Sequence, residues 1–180
     1  MLKNFLQSRY QDIKLGLVTK PGKADVIFSV AVALIYAAIA LTVGLLTGFL
    51  RIRVLETSTF TMVILPFSLL VMPSFLEELF FRALMLPHKT RRLTAQKKVF
   101  LSLFSIFVFV AWHPINAITI NAEAYPIFTN PVFLILAALM AFACTITYLR
   151  SGSVWIPVLI HWITVLVWVF FLGGRNIVLD

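Results

Sequence analysis

Apolar residues fill five long stretches of this chain, at about 25–50, 58–87, 98–118, 131–149 and 153–172, and polar residues concentrate between them. Each stretch reaches the roughly 20 residues a helix needs to cross hydrocarbon. The pattern predicts an all-α fold: a polytopic transmembrane helix bundle of about five spans. The second stretch is too long for a straight crossing, because it would extend about 45 Å at 1.5 Å per residue. Pro66 and Pro73 predict a kink or break within it. Pro73-Ser74, with Glu77 three residues on, reads as a fresh helix start.

Ahead of the first stretch, Lys3, Arg9, Lys14, Lys20 and Lys23 alternate with Leu2, Phe5, Leu6, Ile13 and Leu17 at roughly helical spacing. This predicts an interfacial amphipathic helix drawn to anionic lipid, closed by Pro21-Gly22. No A-x-A site follows the first apolar run, so the segment does not read as a cleavable signal. Three regions result: a basic amphipathic segment over 1–24, a first transmembrane helix and loop over 25–56, and a core over 57–175.

Composition sharpens the picture. Of 180 residues, 61% are hydrophobic and only 12% charged, with mean hydropathy +1.00; soluble domains carry about a quarter charged residues. The net charge of +8 reads as topology rather than nucleic-acid binding, since no RNA-binding motif, basic stripe or zinc finger accompanies it. With the N-terminus cytoplasmic, Lys3 to Lys23, the cluster Lys89, Arg91, Arg92, Lys97 and Lys98, and Arg150 all lie on the inner side. The outer side holds Arg51, Arg53 and Arg175, and the C-terminus falls outside. The positive-inside bias therefore predicts a multi-pass protein of the cytoplasmic membrane. Cys144, the sole cysteine, permits no intrachain disulfide and reads as a small packing residue.

Against this background, the stretch SFLEELFFRAL, Ser74 to Leu84, stands out. It places Glu77, Glu78 and Arg82 inside a span. His113 and His161 lie inside two others, while His88 falls in the basic loop and is expected to be solvated. Ionisable groups at the bilayer centre cost about 2.5–3.5 kcal/mol on insertion scales, so they face the protein interior and mark function. Glu78 and Arg82 are i,i+4 and share a helix face; Glu77 points about 100° away. The spacing predicts one paired glutamate and one free to act as a general base. Taken singly, a Glu-Arg pair reads as a structural ion pair and a lone histidine as interhelical glue. Their convergence from three helices favours a site.

Three short motifs carry a resemblance. EELFFR (Glu77–Arg82), FVAWH (Phe109–His113) and SGSVWIPVLIHWITV around His161 are similar to the Glu-Glu-x-x-x-Arg, Phe-x-x-x-His and His-x-x-x-Asn/Asp motifs of the CPBP family. These are the CAAX proteases and bacteriocin-processing membrane proteins, also called the Abi family. The resemblance covers about 60–175 and departs at Val165, where the family usually has Asn or Asp. It implies an intramembrane endopeptidase in which Glu77 and His113 activate water. Glu78, Arg82 and Phe109 support them, and His161 helps bind the oxyanion. The partners implied are a peptide or membrane-protein substrate and the lipid bilayer.

No cofactor is required by this reading. Zinc stays open, with Glu77, His113 and His161 as its ligands, although no HExxH helix is present. A metal-independent glutamate-type mechanism is the expectation. Two other readings compete. One is a non-catalytic membrane immunity or scaffold protein of the same fold, favoured by Val165. The other is a small transporter using the Glu and His residues as a proton relay.

Overall fold

The structure, a computed structural model, describes residues 2–174. Arg175, Asp180 and the C-terminal end lie outside the described residues, as do the side chains of residues 2–5. The fold is helical: α1 (Leu2–Val18), α2 (Lys23–Leu46), α3 (Thr59–Leu69), a short α4 (Leu76–Glu78), α5 (Ala95–Thr119), a single-turn α6 (Tyr125–Phe128), α7 (Pro131–Ser151) and α8 (Trp155–Phe171). π-helical segments Leu70–Phe75 and Leu79–Leu84 flank α4, so Thr59–Leu84 forms one broken span. The polytopic bundle expected from the hydropathy pattern is what forms.

Among the described residues, four helices are long and apolar enough to cross a membrane. The fifth stretch is shorter than expected, since α8 has only 17 residues. Both its ends are set by tertiary contacts. At one end Gly152 adopts φ +70° and donates its N–H to Tyr148 O at 2.7 Å, closing α7 in a left-handed cap. At the other, Phe170 O and Phe171 O accept from the N–H groups of Leu55 and Arg53 at 2.9 and 3.0 Å.

Helix starts follow local chemistry. Ser58 and Thr94 accept N–H bonds from Thr61 and Lys97, and Asn130 accepts from Val132 and Phe133 ahead of Pro131. The expected break in the second span is also present, though not at both prolines. Pro66 sits inside α3 without ending it. The departure comes at Met72 (φ −135°, ψ 118°), just before Pro73, because the residue preceding a proline is pushed out of the helical region. Ser74 does not cap the new segment: its Oγ donates to Leu69 O at 2.8 Å, tying the two halves together.

The central helix is α7, half of whose apolar window is buried. It packs against α2, α5 and α8 through Ala137, Ala141 and Cys144. These small residues let neighbouring helices approach closely. The exposed Leu, Ile, Val and Phe residues of α2, α3 and α5 suit a lipid surround.

The amphipathic α1 does form, but it is docked rather than free. Ile13 and Leu17 pack on Ala83, Leu86, Tyr148, Val154 and Val158. Arg9 reaches Leu84 O, and Gly16 O accepts from Val154 N at 3.0 Å. Asp12 is fully buried between Arg9 and Arg91. Here His88 corrects the sequence expectation. It is 2% exposed, not solvated, because α1 and the α7–α8 turn close over it: Nε2 lies 3.1 Å from Thr19 Oγ1, and Nδ1 lies 3.0 Å from Thr90 Oγ1.

Candidate active site

Six side chains build the site from the broken span outward. Glu78, fully buried, sits at the end of α4 with Arg82 one turn later. Glu78 Oε2 lies 3.0 Å from Arg82 Nε, the i,i+4 pairing that the spacing predicted. The second carboxylate oxygen does something the sequence did not reveal: Oε1 accepts from His161 Nδ1 at 2.9 Å. Glu78 therefore ties the broken span to α8. Arg82 extends the tie to α7, donating from Nη2 to Ala141 O at 3.2 Å. Its guanidinium lies over the Phe109 ring at 4.8 Å, a cation–π contact strengthened by burial.

Phe109, fully buried, is the hub of α5. Its ring meets His113 edge-on at 4.9 Å and His161 at 6.0 Å, so one aromatic side chain sets the spacing of both imidazoles. His113 Nδ1 lies 2.9 Å from Phe109 O. A carbonyl only accepts, so Nδ1 carries the proton and Nε2 presents a lone pair in the neutral ring. The same reasoning applies to His161, whose Nδ1 donates to a carboxylate.

Glu77 differs from its neighbour. It is only partly buried, its Oε2 is shielded from water yet unbonded, and Trp112 stands beside it. Glu77, His113 and His161 line one cavity of about 540 Å³ between α2, α7 and α8. The remaining wall is almost entirely apolar, with Ser29, Tyr36 and Thr164 contributing its hydroxyl groups. Val165 also lines it. The sequence motifs thus bring Glu77, His113 and His161 to one wall, with Glu78, Arg82 and Phe109 behind them. Tyr36 and Trp112 escaped sequence reasoning. Tyr36 lies in α2, outside every motif, and its one signal is a polar tip within the apolar run LIYAAIA.

Among the described residues, no group of three or more His, Cys, Asp or Glu side chains is placed to hold a metal ion. Both imidazoles donate Nδ1–H to protein acceptors, which leaves the Nε2 lone pair of each neutral ring open.

The fold and the site together define an integral membrane protein of the helical-bundle class, with an acid–imidazole centre opening on an intramembrane cavity. Residues 57–167 match the family described as type II CAAX prenyl endopeptidase Rce1-like. The chain belongs to that family, and so to the CPBP intramembrane proteases. The match spans all of the motif residues, from Glu77 to His161. No curated protein and no solved structure matches the chain.

Proposed function

We propose that this protein is an intramembrane endopeptidase in which Glu77 and His113 activate water against a peptide bond brought into the cavity. The observation that carries this reading is the division of labour between two adjacent glutamates. Glu78 is ion-paired with Arg82 through one oxygen and hydrogen-bonded to His161 through the other, while Glu77 lines the cavity outside that pair, beside Trp112. Glu77 takes a proton from water as the hydroxide equivalent attacks the carbonyl carbon. His113 Nε2 accepts a hydrogen bond from the same water and orients it. The proton then passes from Glu77 to the leaving amine as the C–N bond breaks. General acid–base assistance of this kind supplies about 10²–10⁴ in rate.

The substrate is a peptide or membrane-protein segment. The family's description points to a C-terminal CAAX-type peptide, and the apolar cavity walls suit a chain entering from lipid. We further propose that the protein lies in the cytoplasmic membrane with its N-terminus in the cytoplasm, and that water is activated without a metal ion.

A non-catalytic immunity or scaffold role keeps one observation in its favour, the apolar Val165 in the cavity wall. The deciding experiment compares membrane-protein termini in cells carrying wild type or Glu77→Gln at matched abundance. Termini that appear only with wild type establish proteolysis and name the substrate. Identical termini, with the cellular phenotype preserved in the variant, overturn the enzyme reading.

A further inference from the structure

Two indoles of α8 reach the broken span on either side of its break at Met72. Trp162 donates from Nε1 to Pro66 O at 2.8 Å and so holds α3, the half before the break. Trp155 lies about two turns earlier on the same face of α8. Its ring stacks on that of Phe75, with centroids 5.5 Å apart and planes 21° from parallel. Phe75 belongs to the half after the break and immediately precedes α4, which carries Glu77 and Glu78.

Trp155 is also tied to α1. Its Nε1 donates to Leu17 O at 2.9 Å, and the adjoining Val154 N–H donates to Gly16 O at 3.0 Å. Both acceptors are last-turn carbonyls of α1, which a helix end leaves without an internal partner. Leu17, Phe75 and Val154 share one apolar cluster, so the contacts are packed as well as bonded. Asp12 anchors α1 from further back, fully buried against Arg9 and Arg91 and outside the cavity lining. Trp155 itself lines the cavity together with Glu77 and His161.

We infer that Trp155 is a positioning residue that makes the placing of Glu77 depend on docked α1. This assignment rests on the endopeptidase reading above. Leu17 O fixes the indole, the indole fixes the Phe75 ring, and Phe75 sets the start of the turn that carries Glu77. The 2.9 Å bond from His161 to Glu78 holds the far end of that turn to α8, so Glu77 lies between two fixed points. Misplacing a reacting group by about 1 Å can cost about 10²-fold in rate. Loosening α1 therefore reaches the chemistry although α1 supplies none of the reacting groups.

The test measures how fast wild-type-dependent membrane-protein termini accumulate after induction of the full chain, at matched abundance. Phe75→Leu removes the stacked ring and should slow accumulation at least about tenfold, while Phe75→Tyr keeps the ring and should stay within about twofold. Trp155→Phe keeps a ring against Phe75 and loses the bond to Leu17 O. It should slow accumulation about three- to tenfold, the worth of one hydrogen bond. Asp12→Asn, remote from the cavity, should slow it by a similar factor. Combined with Trp155→Phe it should add little, because both cut the same chain of contacts. Combined with Trp162→Phe, which frees the other half of the span, its effect should multiply.

A wild-type rate in Trp155→Phe or in Asp12→Asn overturns the assignment. So does full multiplication of their two losses, which would make the contacts independent. A fall in abundance or thermal midpoint with an unchanged rate per molecule also counts against it, because it assigns Trp155 to packing alone. Glu77→Gln in the same experiment separates the two levels. If it leaves every terminus unchanged, the endopeptidase reading fails and the coupling with it. If it abolishes them while Trp155→Phe and Asp12→Asn run at the wild-type rate, only the coupling fails.

Discussion

His161 Nδ1 lies 2.9 Å from Glu78 Oε1, while the other oxygen of the same carboxylate lies 3.0 Å from Arg82 Nε. One fully buried glutamate thus fixes an arginine on its own span and an imidazole on α8. It resolves why charge is placed in so apolar a chain: the pair holds two elements in register and leaves the adjacent Glu77 outside it.

The two glutamates should therefore fail differently. Glu77→Gln should abolish proteolysis and leave the thermal midpoint of the detergent-purified protein within a degree or two. Glu78→Ala strands Arg82 without a counter-charge. Removing one partner of a buried pair costs about 3–5 kcal/mol, so that variant should show a clear fall in both midpoint and abundance. Equal behaviour of the two variants would contradict the division of labour.

His113 and His161 should also separate. His113→Ala should cost about 10²–10⁴ in rate with little loss of abundance, as for removal of a positioned proton acceptor. His161→Ala should reduce rate and thermal midpoint together, because it frees one oxygen of the buried Glu78. Rates and melting profiles measured on the same preparations decide this.

A strong chelator should leave the rate within about twofold. Loss of activity on treatment with 1,10-phenanthroline, restored by zinc and not by magnesium, would reverse the metal-independent assignment.

The docked α1 should loosen in acid. Burial is the main cause that lowers the His88 pKa from its ordinary value of 6.5. Asp12 opposes that shift, while Lys89 and Arg91 reinforce it. The unfolded chain therefore takes its proton first as pH falls below about 6.5, and stability favours the neutral folded form above that value. The contribution is complete at higher pH and is lost as pH drops through the lowered folded-state value. Limited proteolysis of α1 should accelerate in that window, and His88→Gln should flatten the pH dependence.

Gly152→Ala should be more damaging than an exposed turn substitution. Its φ of +70° disfavours any Cβ, and the added carbon would lie 2.7 Å from His88 Nε2. The backbone term alone is about 1–2 kcal/mol. His88→Ala in the Gly152→Ala background should recover the steric part and leave the backbone part, as read from thermal midpoints.

Much of this protein follows from one-dimensional information. Helical spans arise wherever about twenty apolar residues run together, because hydrocarbon leaves each backbone N–H and C=O only its own helix as a partner. The Glu78–Arg82 pair is equally local, since i,i+4 positions on a helix are neighbours whatever surrounds them. Even the break before Pro73 is a two-residue effect. The burial of His88 was not legible, because α1 and Gly152 reach it from positions distant in the sequence. The Glu78–His161 bond spans 83 residues, and Tyr36 joins the cavity only because α2 packs along α7 and α8. Sequence by itself determined which residues carry charge into the membrane and which are helical neighbours. Tertiary structure decided which proton each imidazole has already spent, because hydrogen bonding is settled by distances of about 3 Å that only packed helices set.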